Sequence, residues 1–126
     1  MSDVGICMEE TKSHDIRVRS FEFSVTVIGA IESLRRDTSS RIMANQFVRA
    51  ATSIGANIHE ARGTGSRTDF KRFYEISLKS ARECEYWLKL LVRTRYMDAS
   101  NGSIIGDELN QITSVLVSAV KRLKSE

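Results

Sequence analysis

Acid–base or metal chemistry in this chain would start from His59, with Glu60 beside it and Asn57 close by. General catalysis needs a proton acceptor held by a second polar group, and a metal needs ligands that converge. At about 100° per residue His59 turns to the exposed side of its helix. Neither it nor His14 has a base or ligand partner at relay or coordination spacing. Asn57 and Glu60, three apart, suit an ordinary register-fixing contact of a helical bundle better than a catalytic pair. Cys7 and Cys84 lack the CxxC spacing of a zinc or redox site, and Cys84 falls on an apolar helix face as a small buried thiol. The Gly63-Thr64-Gly65-Ser66 turn follows a helix and lacks the lysine of a phosphate-cradling loop. These residues predict no enzyme, no cofactor and no resident metal.

Charge is the remaining chemistry. From Arg35 to Arg95 there are thirteen Lys or Arg against six Asp or Glu, while both flanks carry more acid than base. Such an asymmetry points to polyanionic partners. Six of these cations, Lys71, Arg72, Lys79, Arg82, Lys89 and Arg93, fall within an arc of about 100° on one predicted helix. They are the candidate nucleic-acid contacts, as phosphate binders that do not read bases. The alternative is a solvated outer face, because Glu75 and Glu83 sit among them. Arg35, Arg36, Arg41, Arg62 and Arg67 lie at helix ends, where they form a second basic rim. Trp87 fits core or interface better than a stacking role.

The elements that would hold this stripe are helices. Proline is absent from the 126 residues, which favours long uninterrupted helices. Residues 1–14 show no period and read as a flexible lead-in, leaving 15–126 as one domain. In the first helix, capped by Asp15, the residues Val18, Phe21, Val25, Ile28 and Ile31 form the expected core face, widened by Phe23, Val27 and Leu34. The second has Met43, Phe47, Ala50, Ala51, Ile54, Ile58 and Ala61 on one side and ends at Gly63, suited to a left-handed cap. Gly55 inside it costs about 1 kcal/mol relative to Ala, which calls for a packing reason. Phe70, Phe73, Tyr74, Ser77, Ala81, Cys84, Trp87, Leu88 and Leu91 line the third, with Glu75–Lys79 and Glu85–Lys89 as supporting pairs. Asn101-Gly102 reads as a turn, with Ser103 capping a fourth helix whose seam is Ile105, Leu109, Ile112, Leu116, Ala119 and Leu123. The fold expected is all-α, an antiparallel up-down four-helix bundle. With no secretory signal and no apolar run long enough for a bilayer, a cytoplasmic protein is expected.

Three spaced motifs add to this. The run from Arg49 to Ala61 (RAATSIGANIHEA), then Asp69-Phe70, then Ser77-Leu78-Lys79-Ser80-Ala81-Arg82-Glu83 with Tyr86-Trp87-Leu88, resembles the four-helix-bundle proteins encoded by intervening sequences in bacterial 23S ribosomal RNA genes. The likeness is close over the first three helices and holds only in pattern over the last. It implies a bundle without known enzymatic activity that assembles into a ring-shaped homo-oligomer, with a pentamer expected. It also implies kinship with the accessory variability determinants of diversity-generating retroelements, basic pentamers that bind a reverse transcriptase and nucleic acid. The function expected is that of a nucleic-acid-binding (RNA or DNA) accessory protein. The alternative is a protein-interaction scaffold without nucleic-acid binding.

Overall fold

The computed structural model describes residues 15–126, so the predicted lead-in, with Cys7 and His14, lies outside the described residues. Four helices follow one another: α1 (Ile16–Ile31), α2 (Thr38–Gly63), α3 (Arg67–Arg93) and α4 (Ala99–Ser125). Each packs against its chain neighbour, and α1 closes the ring of contacts against α4. Cross-helix pairs run in opposite senses: Gly102 and Gly106 of α4 lie against Val92 and Leu88 of α3, while Lys124 reaches Glu75. The expected all-α up-down bundle is therefore what forms.

Each helix starts on a side chain that satisfies otherwise unpaired amides. Asp15 accepts from the Arg17 N–H at 2.9 Å, and Ser66 from Asp69 at 3.1 Å. Asp37 accepts from the Ser40 N–H at 2.9 Å while Ser40 Oγ accepts from the Asp37 N–H at 3.1 Å, a reciprocal capping box. That box starts α2 at Thr38. Asp98 accepts from Asn101 N–H at 2.7 Å and starts α4, so Asn101-Gly102 is the first turn of a helix and not a loop.

Two further expectations are corrected. Gly63 closes α2 without a positive φ; the left-handed residue is Arg95, with φ of 68°. It ends α3 in a Schellman motif, the Tyr96 N–H bonding back to Leu91 O and the Arg95 N–H to Val92 O, both at 3.0 Å. In α1 the core takes Phe23, Val27 and, just beyond it, Leu34, while Phe21, Val25 and Ile28 stand 65%, 51% and 45% exposed. The helix carries two apolar stripes, and the one that wins burial brings Arg19 and Ser20 with it. Arg19 is tolerated inside because its guanidinium makes two bonds to Glu108, at 2.9 and 3.0 Å, and a third to Gln111 at 2.6 Å. Ser20 is small enough for Gly55: a Cβ there would sit 3.3 Å from both Ser20 O and Oγ. That close approach is the packing reason for glycine inside α2.

The core runs through all four helices, with Phe47, Ile54, Ile58, Leu91, Ile112 and Leu116 sealed from solvent. Polar groups at the α2–α3 seam are bonded rather than stranded. Ser77 Oγ donates to Ile54 O at 2.9 Å, Ser53 and Ser80 hydroxyls meet at 2.8 Å, and Asn57 Nδ2 donates to Ser53 O and Oγ at 2.8 and 3.0 Å. Asn57 thus bonds within α2, to the same Ser53 that meets Ser80 of α3, and not to Glu60.

Candidate nucleic-acid interface

α3 is a 27-residue helix, about 40 Å long at 1.5 Å per residue. Its buried side is Tyr74, Ser77, Ala81, Cys84, Leu88 and Leu91, which fixes what the opposite side must show. Arg72, Lys79, Arg82, Lys89 and Arg93 are exposed there, and Lys71 is half-buried at the start of the stripe. From Lys71 to Arg93 the cations span about 33 Å along the axis. They form a line and not a cluster, suited to a chain of phosphates and unsuited to one small anion.

Ion pairing divides the six. Arg72 meets Asp69 at 3.3 Å and lies over the Phe73 ring at 4.7 Å. Lys89 meets Glu85 at 3.5 Å. The expected Glu75–Lys79 pair does not form, because Glu75 turns to Lys124 of α4 at 3.7 Å. Lys71, Lys79, Arg82 and Arg93 have no carboxylate partner among the described residues, and of these Lys79, Arg82 and Arg93 are exposed. Exposed pairs of the other kind contribute about 0–1 kcal/mol each and exchange readily for a phosphate. Sequence reading missed Lys124, since nothing in the spacing of α4 says which carboxylate of α3 it meets.

It also passed over Tyr86. This side chain is 59% exposed on the outer side of α3, and its ring meets Trp87 edge to face with centroids 5.1 Å apart. Trp87 is half-buried against the core, with its indole N–H 3.5 Å from Glu83 Oε2, in keeping with a structural role.

The rim arginines separate by end of the bundle. Arg35 lies over the Tyr96 ring at 4.3 Å and 3.5 Å from Asp37, while the Tyr96 hydroxyl donates to Asp37 at 2.7 Å, tying the α1–α2 and α3–α4 connections together. The Ser40 amide and Tyr96 hydroxyl hold the Asp37 carboxyl below its usual range. Arg67, at the other end, pairs with Glu126. Arg36, Arg41 and Arg62 are exposed.

The residues weighed for catalysis do not converge. His59 and Glu60 are exposed and line an open groove between α1 and α2 of about 500 Å³, beside Phe21, Thr52, Gly55 and Ala56. No group of three or more His, Cys, Asp or Glu among the described residues could hold a metal ion. Cys84 is sealed in the core and burial pushes its thiol up to about 12, which leaves no thiolate for chemistry. No helix among the described residues is long and apolar enough to cross a membrane.

Comparison with known proteins agrees with this architecture. No curated protein matches the chain. Among solved structures, a protein of unknown function from the S23 ribosomal protein family of Bacteroides thetaiotaomicron superposes with a TM-score of 0.79 at 37% identity, over 85% of this chain and 99% of that one. The family model of the 23S rRNA-intervening sequence proteins matches residues 12–118, from ahead of α1 into α4. The chain belongs to the 23S rRNA-intervening sequence protein family.

Proposed function

We propose that the protein is a non-enzymatic, homo-oligomeric accessory protein that binds nucleic acid along the outer face of α3. The observation that carries this reading is the line of Lys79, Arg82 and Arg93, exposed and without carboxylate partners among the described residues, inside the longer stripe from Lys71 to Arg93. Cations left unpaired on a solvated face are available to phosphates, and their replacement of condensed counterions drives binding with little sequence preference. Self-assembly is supported by the outer stripe of α1, where Phe21, Val25 and Ile28 recur at helical spacing and stay exposed in a single chain. A second copy is the occupant proposed for it, in the ring that the sequence resemblance implies. Repeating the α3 face around such a ring turns weak contacts into appreciable ones. In this reading the protein works beside a reverse transcriptase or in the context of a 23S ribosomal RNA insertion, and the neighbouring genes discriminate between the two.

The test is retention on immobilised RNA at low salt, with wild type compared to a Lys79→Glu, Arg82→Glu, Arg93→Glu triple variant. Wild type is expected to be retained and the variant to elute early, with a salt slope flatter by about 0.7 per lost contact. Equal retention of both would remove this face from the account. Failure of wild type to bind at all would favour a protein-interaction scaffold.

A further inference from the structure

We infer that Tyr86 is a stacking platform for unpaired nucleobases, so that the ligand of the α3 face is single-stranded or looped nucleic acid and not an intact duplex. This rests on the nucleic-acid reading of that face and narrows it to a substrate class. Tyr86 falls inside the same arc as the six cations, with Arg82 one turn before it and Lys89 one turn after. Every other large exposed apolar side chain among the described residues lies on α1, α2 or α4. The fold does not use the phenol: the ring is 59% exposed, and its hydroxyl has no hydrogen-bond partner among the described residues, unlike that of Tyr96.

The ring is nevertheless backed. Its contact with Trp87 is edge to face at 82°, and Trp87 is itself packed on the core. A ring supported in this way loses little freedom when a base covers it. Bases in a duplex are stacked on one another and present only their edges in the grooves, so a convex helix face with one phenol finds no partner there. An unpaired base has an open π-face of suitable size, while Arg82 and Lys89 lie close enough to take phosphates on either side. Base–aromatic stacking of this kind is sequence-tolerant, in keeping with cations that contact only phosphate.

Full-length protein titrated into labelled 15-mer oligo(U) and into a duplex of equal length, read by fluorescence anisotropy, tests this. Tyr86→Ala is expected to weaken oligo(U) binding roughly ten-fold or more while leaving duplex binding unchanged. Tyr86→Phe should bind as wild type, since the ring and not the hydroxyl is used. Trp87 is the one tryptophan of the chain, so oligo(U) should also quench its emission where the duplex does not. Circular dichroism checks that the variants fold, the outcome expected for an exposed position. The proposal is overturned if Tyr86→Ala binds oligo(U) as wild type does, or loses oligo(U) and duplex equally. Binding lost in the Lys79, Arg82, Arg93 triple variant but kept in Tyr86→Ala overturns the stacking role alone. Wild type that binds neither probe overturns the nucleic-acid reading as well.

Discussion

Arg95 is the residue whose conformation conflicts with its type. A φ of 68° places its Cβ against backbone, a conformation that glycine adopts without that cost. It persists because the two bonds of the Schellman motif and the Tyr96–Asp37 tie beyond it over-determine the turn. Arg95→Gly is therefore expected to stabilise the protein by roughly 0.5–1 kcal/mol, measured by urea unfolding. A loss of stability would mean that the Arg95 side chain itself holds the turn. Nothing at the sequence level distinguishes this site, because Gly63 carries the composition of a left-handed cap while Arg95 has the geometry. Cys84 went the other way: its place on an apolar stripe was enough to read it as a buried, inert thiol.

Helix spacing made α2 and α3 legible almost residue by residue, since their buried residues repeat the predicted stripes. α1 was legible as a helix and misread in orientation. Phe21, Val25 and Ile28 are as good a 3–4 pattern as Phe23 and Val27, and periodicity cannot say which of two apolar stripes faces inward. The decision came from partners on other helices, Glu108 for Arg19 and Gly55 for Ser20. Gly102 is a similar case. Sequence made it a turn, yet it is a helical contact whose missing Cβ would lie 2.4 Å from Val92 Cγ2. Valine has little rotamer freedom with which to withdraw. Gly102→Ala should cost about 1–3 kcal/mol. Combining it with Val92→Ala should recover part of that loss, with a coupling of at least about 0.5 kcal/mol in a double-mutant cycle of chemical denaturation. Strict additivity would contradict the close α3–α4 contact.

For the whole molecule, the function proposed here divides the work between two faces: an apolar outer α1 for assembly and a charged outer α3 for ligand. Phe21→Glu with Val25→Glu is expected to convert a homo-oligomer into monomers in sedimentation or light scattering without loss of helicity. Monomers should also bind RNA more weakly, because linked sites gain affinity by effective concentration. A wild type that is monomeric at micromolar concentration, or a variant that still assembles, would contradict the α1 interface. The stripe of α3 was fully visible in the sequence, because charge on a long amphipathic helix follows from spacing alone. That Lys79 is free was not, because it depended on Lys124 arriving from α4 to take Glu75.

If α3 meets phosphates with unpaired cations, its binding to RNA carries a defined salt dependence. RNA affinity of the wild-type protein, measured between about 50 and 200 mM salt, should fall linearly on a log–log plot. Three contacts from Lys79, Arg82 and Arg93 set a slope of about −2 per subunit for a single strand. Affinity that does not change with salt, or no binding at the lowest salt, would contradict the account.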